Sequence, residues 1–567
     1  METKEAEVQI ALFSMEIGID HKMPTYSGGL GVLAGDILRS CADLNVPIAA
    51  ITLASNKGYL SQRLDEEGIQ TELSMEWKID DFTTLTAPKV SVPIEGREVK
   101  IQAWKYLLTG IEGYQVPVYL LDTNLFENCD HNREISSYLY GGDERYRLLQ
   151  EIVLGIGGVR MFEALGYKNI QKYHMNEGHS ALVALELIKN MRNANPEYTT
   201  EHIIELIRKK CIFTTHTPVP AGQDKFQASL VKSLLCGYLG DDEIDNLCHG
   251  NELNMTLLAL EHSEYINGVA KKHEEISRNM FPGYPIDSIT NGVHHVFWTS
   301  EPFCKLYDRH IRGWRKDPFD LRYVISIPKE EIMQAHVEAK KRLIDLVNER
   351  KSIGMDYDTL TLGFARRITK YKRPDLLFSN NDRLVNIAND ARPIQIILAG
   401  KAHPKNTEGK ELIKIIFEAI KRLRENIKVV FLENYNMELA KLITSGVDVW
   451  LNTPKRPLEA SGTSGMKACL NGVPSLSILD GWWCEGCIEG VTGWAIGSIT
   501  PECSTDQSDD SRDAEDLYDK LEQVVLPMFY NNKDAWAQIM QYAIAFNSSF
   551  FNSHRMVSQY LLKAYLT

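Results

Sequence analysis

An α/β chain built on two parallel sheets, each covered by helices, is predicted by three features of the sequence. Short apolar runs rich in β-branched residues alternate with helix-length amphipathic segments. The alternation pauses midway and then restarts. The 567 residues also suit two large lobes, at roughly 150 residues per ordinary domain.

In the first half, the runs at 10–15, 47–53, 117–121, 170–175 and 211–215 read as strands, with helices between several of them. In the second half the runs at 361–365, 394–399, 429–432, 447–451 and 475–479 do the same, with 409–424 as one of the covering helices. Two Rossmann-like lobes follow from this repetition. Residues 329–350 are charged and helix-patterned, bounded by Pro318, Pro328 and Gly354, and read as a connector. The stretch 534–566 reads as a long terminal helix, too apolar in IMQYAIAFNSSFF to be a free tail. The expected units are therefore 1–298, then 299–533 with the connector, then the helix 534–567. The acidic, serine-rich stretch 504–513 reads as a surface loop.

Composition narrows the chemistry. Apolar residues at 44% and charged residues at 24% exclude disordered, collagen-like and disulfide-scaffold chains. A net charge of −14 repels polyanions, so no nucleic-acid or anionic-membrane role is expected without a local basic patch. No run reaches the roughly 18 apolar residues of a membrane helix, and the opening METKEAEVQIALF is acidic rather than basic, so a cytoplasmic protein is expected. Only Cys484 and Cys487 form a C-x-x-C pair, with no second pair at zinc-finger spacing. His174, His179, His216, His294 and His295 fall near strand ends but show no H-E-x-x-H or similar spacing, so no metal is assigned.

Three segments carry chemistry. YSGGLGVLAGDI at 26–37 follows a strand and opens a helix, where the glycines let backbone N–H groups approach an anion, or serve only helix–strand packing. ARRITKYKRP places Arg366, Arg367, Lys370, Lys372 and Arg373 together with no acid among them, directly after a strand. That is where open α/β sheets bind ligands, although many charge runs are solvated faces. RPLEASGTSGMKACLNGVPSLSILDGWW at 456–483 runs a loop of small residues into a helix bearing Lys467. Such a loop, with the hydroxyls of Ser461, Thr463 and Ser464, can hold a phosphate beside a lysine, an arrangement suited to a Schiff base with pyridoxal phosphate. A helix cap followed by a surface lysine is the plain alternative.

This third segment resembles the lysine motif of the α-glucan phosphorylases, the glycogen, starch and maltodextrin enzymes, from Glu459 through Lys467 to Asn471-Gly472 and Leu479-Asp480-Gly481. Other landmarks of that family stand in order: Ser27 to Gly31, Asn267 to His273, Thr290-Asn291-Gly292 with Trp298 downstream, Arg367 with Tyr371-Lys372-Arg373, and FLENY ending at Tyr435. The likeness runs roughly from residue 10 to 480. It implies two Rossmann-like lobes facing a cleft, the GT-B glycosyltransferase fold, with the terminal helix crossing back to the first lobe.

The resemblance further implies reversible phosphorolysis of α-1,4-glucans by inorganic phosphate, giving α-D-glucose 1-phosphate with retained configuration. Pyridoxal 5'-phosphate would be held by Lys467, with Thr463, Ser464, Arg366, Tyr435 and Gly29 around it. Gly29 N–H, Arg367 and Lys372 would bind the incoming phosphate, which acts as acid and nucleophile and so replaces the paired carboxylates of glycosidases. Tyr371 would meet the sugar 2-hydroxyl, Glu459, Ser461 and Gly462 the 3- and 4-hydroxyls, with His273 and Asn291 as candidates for the 6-hydroxyl. Departures exist: Arg366 replaces a usual lysine, Asn436 a usual arginine and Glu264 a frequent histidine. The short chain, with no phosphorylatable serine extension before Ile10, points to a compact, unregulated bacterial or archaeal-type member and leaves a homo-oligomer open. A nucleotide-sugar-dependent glucan synthase and a non-catalytic glucan-binding protein share the fold and are the competing expectations.

Overall fold

The structure is a computed structural model that describes residues 8–75, 77–219, 222–390, 392–497 and 509–566. Its strands in chain order are β1 (Ile10–Ser14), β2 (Ile48–Leu53), β3 (Ser61–Leu64), β4 (Gln70–Leu73), β5 (Thr84–Ile94), β6 (Arg97–Thr109), β7 (Gln115–Asp122), β8 (Lys172–Asn176), β9 (Cys211–Thr214), β10 (Lys225–Gln227), β11 (Glu252–Asn254), β12 (Tyr265–Gly268) and β13 (Ile286–Ser288). The second half adds β14 (Leu360–Ala365), β15 (Ile394–Ala399), β16 (Lys428–Leu432), β17 (Val449–Asn452), β18 (Ser475–Ile478) and β19 (Gly493–Ile496).

Nine strands form one sheet in the order β13-β12-β9-β8-β1-β2-β7-β6-β5, parallel except where β6 and β5 add antiparallel to β7. Six form a fully parallel sheet in the order β16-β15-β14-β17-β18-β19. Strands such as β1, β2, β14 and β15 are buried along their whole length, as continuous apolar runs in a two-sided sheet must be. Both chain orders reverse direction once. The reversal falls between β1 and β8 in the larger sheet and between β14 and β17 in the smaller, and a ligand crevice opens at the carboxyl ends of strands flanking such a point.

The expected connector is a helix at Lys329–Lys351. The terminal stretch differs from a single helix. Lys533–Tyr542 packs with the smaller sheet's core through Trp536, Ile539 and Met540, whereas Ser553–Tyr560 packs with the larger sheet's core through Met556, Val557 and Tyr560. Asn552 ends the first course and caps the second by accepting from Arg555 N–H, so the chain changes direction there. Of the expected 504–513 loop, residues 504–508 lie outside the described residues, and Asp510–Lys520 is helical, capped by the Asp509 carboxylate. Among the described residues, no helix is long and apolar enough to cross a membrane.

Candidate active site

Each direction reversal carries one of the loops singled out in the sequence. After β1 the chain turns through Glu16 to the helix Gly29–Asp43, whose first residues are the glycine loop. The Glu16 carboxylate accepts the N–H groups of Ser27 and Gly28. Gly29 is exposed, and among the described residues nothing accepts its N–H, which as a first-turn amide has no intrahelical partner. The glycines differ in purpose. A side chain on Gly31 would lie 2.7 Å from Glu16 Oε2, whereas one on Gly28 or Gly29 would meet no atom within 4 Å. Gly31 serves packing, and the other two face open space.

After β14 come the five cations, and the structure divides them. Arg366 donates to Glu459 Oε2 at 2.7 Å and to Asn452 at the end of β17. Lys372 Nζ stands 2.8 and 2.7 Å from the two Glu459 oxygens. Burial alone would raise the Glu459 carboxyl, but the two cations pull it down to about 2. Asp480 accepts the Glu459 N–H at 2.8 Å and is itself pushed up to about 7 by burial. Arg367 is exposed and makes no ion pair among the described residues; its neighbours Tyr371, Tyr59, Glu16 and Tyr140 outweigh desolvation and raise its pKa.

The other two cations leave the site. Arg373 takes a left-handed backbone (φ 44°) and turns its guanidinium to the carbonyls of Thr453 and Pro454 and to Asp510 and Asp513. Lys370 pairs with Glu408 at the surface. Of the five cations three remain at the site, because acids some 140 residues downstream claim Arg373 and Glu408 claims Lys370.

The lysine loop follows β17. Gly462 needs its positive φ of 77°, and the Ser461 carbonyl accepts Trp482 N–H at 2.9 Å, which fixes the turn. Thr463 and Ser464 are half-buried at the start of the helix Ser464–Cys469, where Ser464 Oγ accepts from Trp450 Nε1 at 3.1 Å. Lys467 is 7% exposed, its Nζ 3.8 Å from the Trp298 ring centre, and among the described residues no group accepts a hydrogen bond from it. Burial depresses its pKa to about 8 despite the Asp36 charge nearby. Trp298 is anchored in turn by donating to Asp36 Oδ2 at 2.7 Å, on the same helix the glycine loop opens.

Lys467 therefore sits against residues of the first half. Other groups also join the two halves of the chain. Tyr26 Oη accepts Met437 N–H at 3.0 Å, Gln62 donates to the Gly400 carbonyl at 2.9 Å, and Tyr435 feels both Arg366 and Tyr26.

His273 and Asn291 stand apart. His273 is fully buried beyond β12, its Nδ1 accepting Val269 N–H; burial lowers its pKa to about 4 against an opposing contact with the Thr217 backbone. Asn291 Oδ1 is buried, with no hydrogen-bond partner among the described residues. No hydrogen bond or ion pair among the described residues joins either to the Glu459 cluster. His174 is tied to Tyr565 and Thr214 inside the larger sheet, and His179 to Asp224. Glu16 and Asp36, which organise the glycine loop and Trp298, carry no signal in the sequence: each is one acid beside an apolar run.

A family model described as carbohydrate phosphorylase matches residues 243–489. The chain is 40% identical to a maltodextrin phosphorylase of Thermococcus litoralis, over 99% of this chain and 70% of that protein. It is 36% identical to a glycogen phosphorylase of Aquifex aeolicus, over 98% and 86%, and 35% identical to one of Mycobacterium tuberculosis, over 97% and 70%.

Proposed function

The chain belongs to the carbohydrate phosphorylase family, and from that premise we propose that it splits α-1,4-glucans from the non-reducing end with inorganic phosphate, reversibly, releasing α-D-glucose 1-phosphate with retained configuration. The observation that carries this reading is the pairing of a buried, acceptor-free Lys467 with a cation cluster that one carboxylate only partly neutralises.

The residues suit pyridoxal 5'-phosphate as the cofactor. An amine depressed to about 8 keeps a useful neutral fraction near pH 7, which condensation with an aldehyde needs. Thr463, Ser464, Tyr435, Arg366 and the Gly29 N–H would hold the rest of the cofactor. When bound, the cofactor supplies a second phosphate that exchanges a proton with the substrate phosphate.

The chain's own groups do the rest. Arg366, Arg367 and Lys372 face Glu459 and, near Arg367, the Glu16 carboxylate, so three cations against two anions leave a net positive surplus. Arg367 and the Gly29 N–H bind the incoming phosphate without first breaking an ion pair. Lys372 and Arg366 swing from Glu459 to phosphate oxygens. The released Glu459 carboxylate then accepts from the sugar 3-hydroxyl, beside Ser461 and Gly462, while Tyr371 meets the 2-hydroxyl. Binding of phosphate thereby prepares the sugar site. His273 and Asn291 are assigned to the sugar 6-hydroxyl, Asn291 with a buried Oδ1 that lacks a partner among the described residues.

We place the two sheets as the lobes of a GT-B fold, with units 1–298, 299–533 and 534–567, and the enzyme in the cytoplasm. Incubation with maltodextrin and phosphate, followed by proton NMR of the first sugar phosphate formed, tests the reading. The α-anomer is expected. A β-anomer, or product formation only with a nucleotide sugar, overturns it.

A further inference from the structure

Away from the crevice, three histidines distant in sequence meet beneath the terminal helix. His294 and His295 follow β13, and His554 is the second residue of Ser553–Tyr560. Their exposures are 5%, 0% and 5%. One ring nitrogen from each lies within 4.8 Å of one from each of the others.

Their hydrogen bonds fix the tautomers. The Asp43 carboxylate lies 2.8 Å from His294 Nε2 and 3.1 Å from His554 Nε2, and the Arg315 carbonyl lies 2.8 Å from His295 Nε2. An ionised carboxylate and a carbonyl only accept, so each Nε2 carries a proton, and in a neutral imidazole that leaves the lone pair on Nδ1. Phe297 N–H donates to the His294 Nδ1 at 3.0 Å. The Nδ1 atoms of His295 and His554 are buried, with no hydrogen-bond partner among the described residues. Their rings stand perpendicular with centres 4.5 Å apart, and the His294 ring stacks on His295.

Buried lone pairs without a donor are costly, and a neutral imidazole whose far N–H is held by a carboxylate or carbonyl is the arrangement that presents the near nitrogen to a metal. We propose that His294, His295 and His554 bind one divalent transition-metal ion, zinc foremost, through ring nitrogens. An all-imidazole set without a thiolate suits zinc, cobalt, nickel or copper rather than calcium or magnesium. Zn–N bonds of about 2.1 Å bring tetrahedral ligands to about 3.4 Å from one another, so the rings close by about 1 Å, and His294 exchanges the Phe297 amide for the metal. The ion links His554 on the terminal helix to the segment after β13, with Asp43 of the first helix holding two of the three rings. It is a structural clip for the chain's end, separate from the catalytic groups.

The test uses tag-free full-length protein stripped with a chelator and dialysed against zinc or cobalt(II). One retained equivalent is expected, with tetrahedral cobalt absorption, a higher Tm than the stripped form, and loss of the equivalent in His295→Gln and in His554→Gln. Should either variant fail to fold, X-ray absorption at the zinc edge of the wild type decides, with a nitrogen shell of three imidazoles expected. Retention of no stoichiometric metal by the wild type, an unchanged equivalent in folded variants, or a sulfur-containing shell overturns the site.

Discussion

Lys372 Nζ donates to both carboxylate oxygens of Glu459, at 2.8 and 2.7 Å, and among the described residues the other side chain that donates to that carboxylate is Arg366. The pair is buried, and such pairs hold position rather than add net stability. In the proposed cycle Glu459 occupies the cations until phosphate arrives and then serves the sugar. Glu459→Gln should therefore lower kcat/KM for glucan by about 10²-fold, the scale of a lost charged contact in the transition state. Phosphate should bind the free variant more tightly, because its cations are no longer occupied. Steady-state kinetics with calorimetric phosphate titration checks both, and weaker phosphate binding would contradict the exchange.

The division of the cations makes a second prediction. Arg367→Ala should raise the KM for phosphate by about tenfold or more with little effect on Tm, since the side chain is exposed and unpaired. Arg373→Ala should instead destabilise by about 3–5 kcal/mol, because buried Asp513 loses its 2.7 Å partner. Lys370→Ala should be silent in both assays. Denaturant melts alongside phosphate kinetics separate the three, and a stable Arg373→Ala with weak phosphate binding would reverse the assignment.

The glycine loop separates packing from binding. Gly31→Ala should cost about 1–3 kcal/mol through its 2.7 Å contact with Glu16. The Cβ of Gly29→Ala meets no atom within 4 Å among the described residues, so stability should stay within about 0.5 kcal/mol while the KM for phosphate rises. Equal stability loss in both would mean that the loop is only a packing device.

Burial of Lys467 has a pH signature in cofactor-free protein. With a folded pKa of about 8 against an ordinary 10.5, the ammonium is charged in both states at pH 7, so its burial penalty is fully present there. The penalty fades as pH rises from 8 and is gone above 10.5. At roughly 1.4 kcal/mol per unit it amounts to about 3 kcal/mol. Lys467→Met should accordingly be more stable than wild type at pH 7 by about 1–3 kcal/mol, with the gap closing above pH 9. Identical stabilities across that range would show a solvated amine.

The smaller sheet is readable from sequence because each of its five expected strands is an apolar run buried on both faces. The β5–β6 ribbon is not: its residues alternate between half-exposed and buried, and β5 carries Lys89 and Pro93 amid the run. Segments 366–373 and 459–467 are legible as motifs because their residues are local. Their geometry is not, since Arg373 is turned away by Asp510 and Asp513, and Lys467 is buried by Trp298 and Asp36 from the other half. His294 and His554 are 260 residues apart, so no ligand spacing could reveal them.

The most direct measurement is borohydride reduction of purified wild-type and Lys467→Ala protein loaded with pyridoxal phosphate, followed by peptide mapping. One pyridoxyl group per wild-type chain is expected, on Lys467, and none in the variant, with glucose 1-phosphate release lost in step. Full phosphorolysis by Lys467→Ala, or a pyridoxyl group on another lysine, would contradict that expectation.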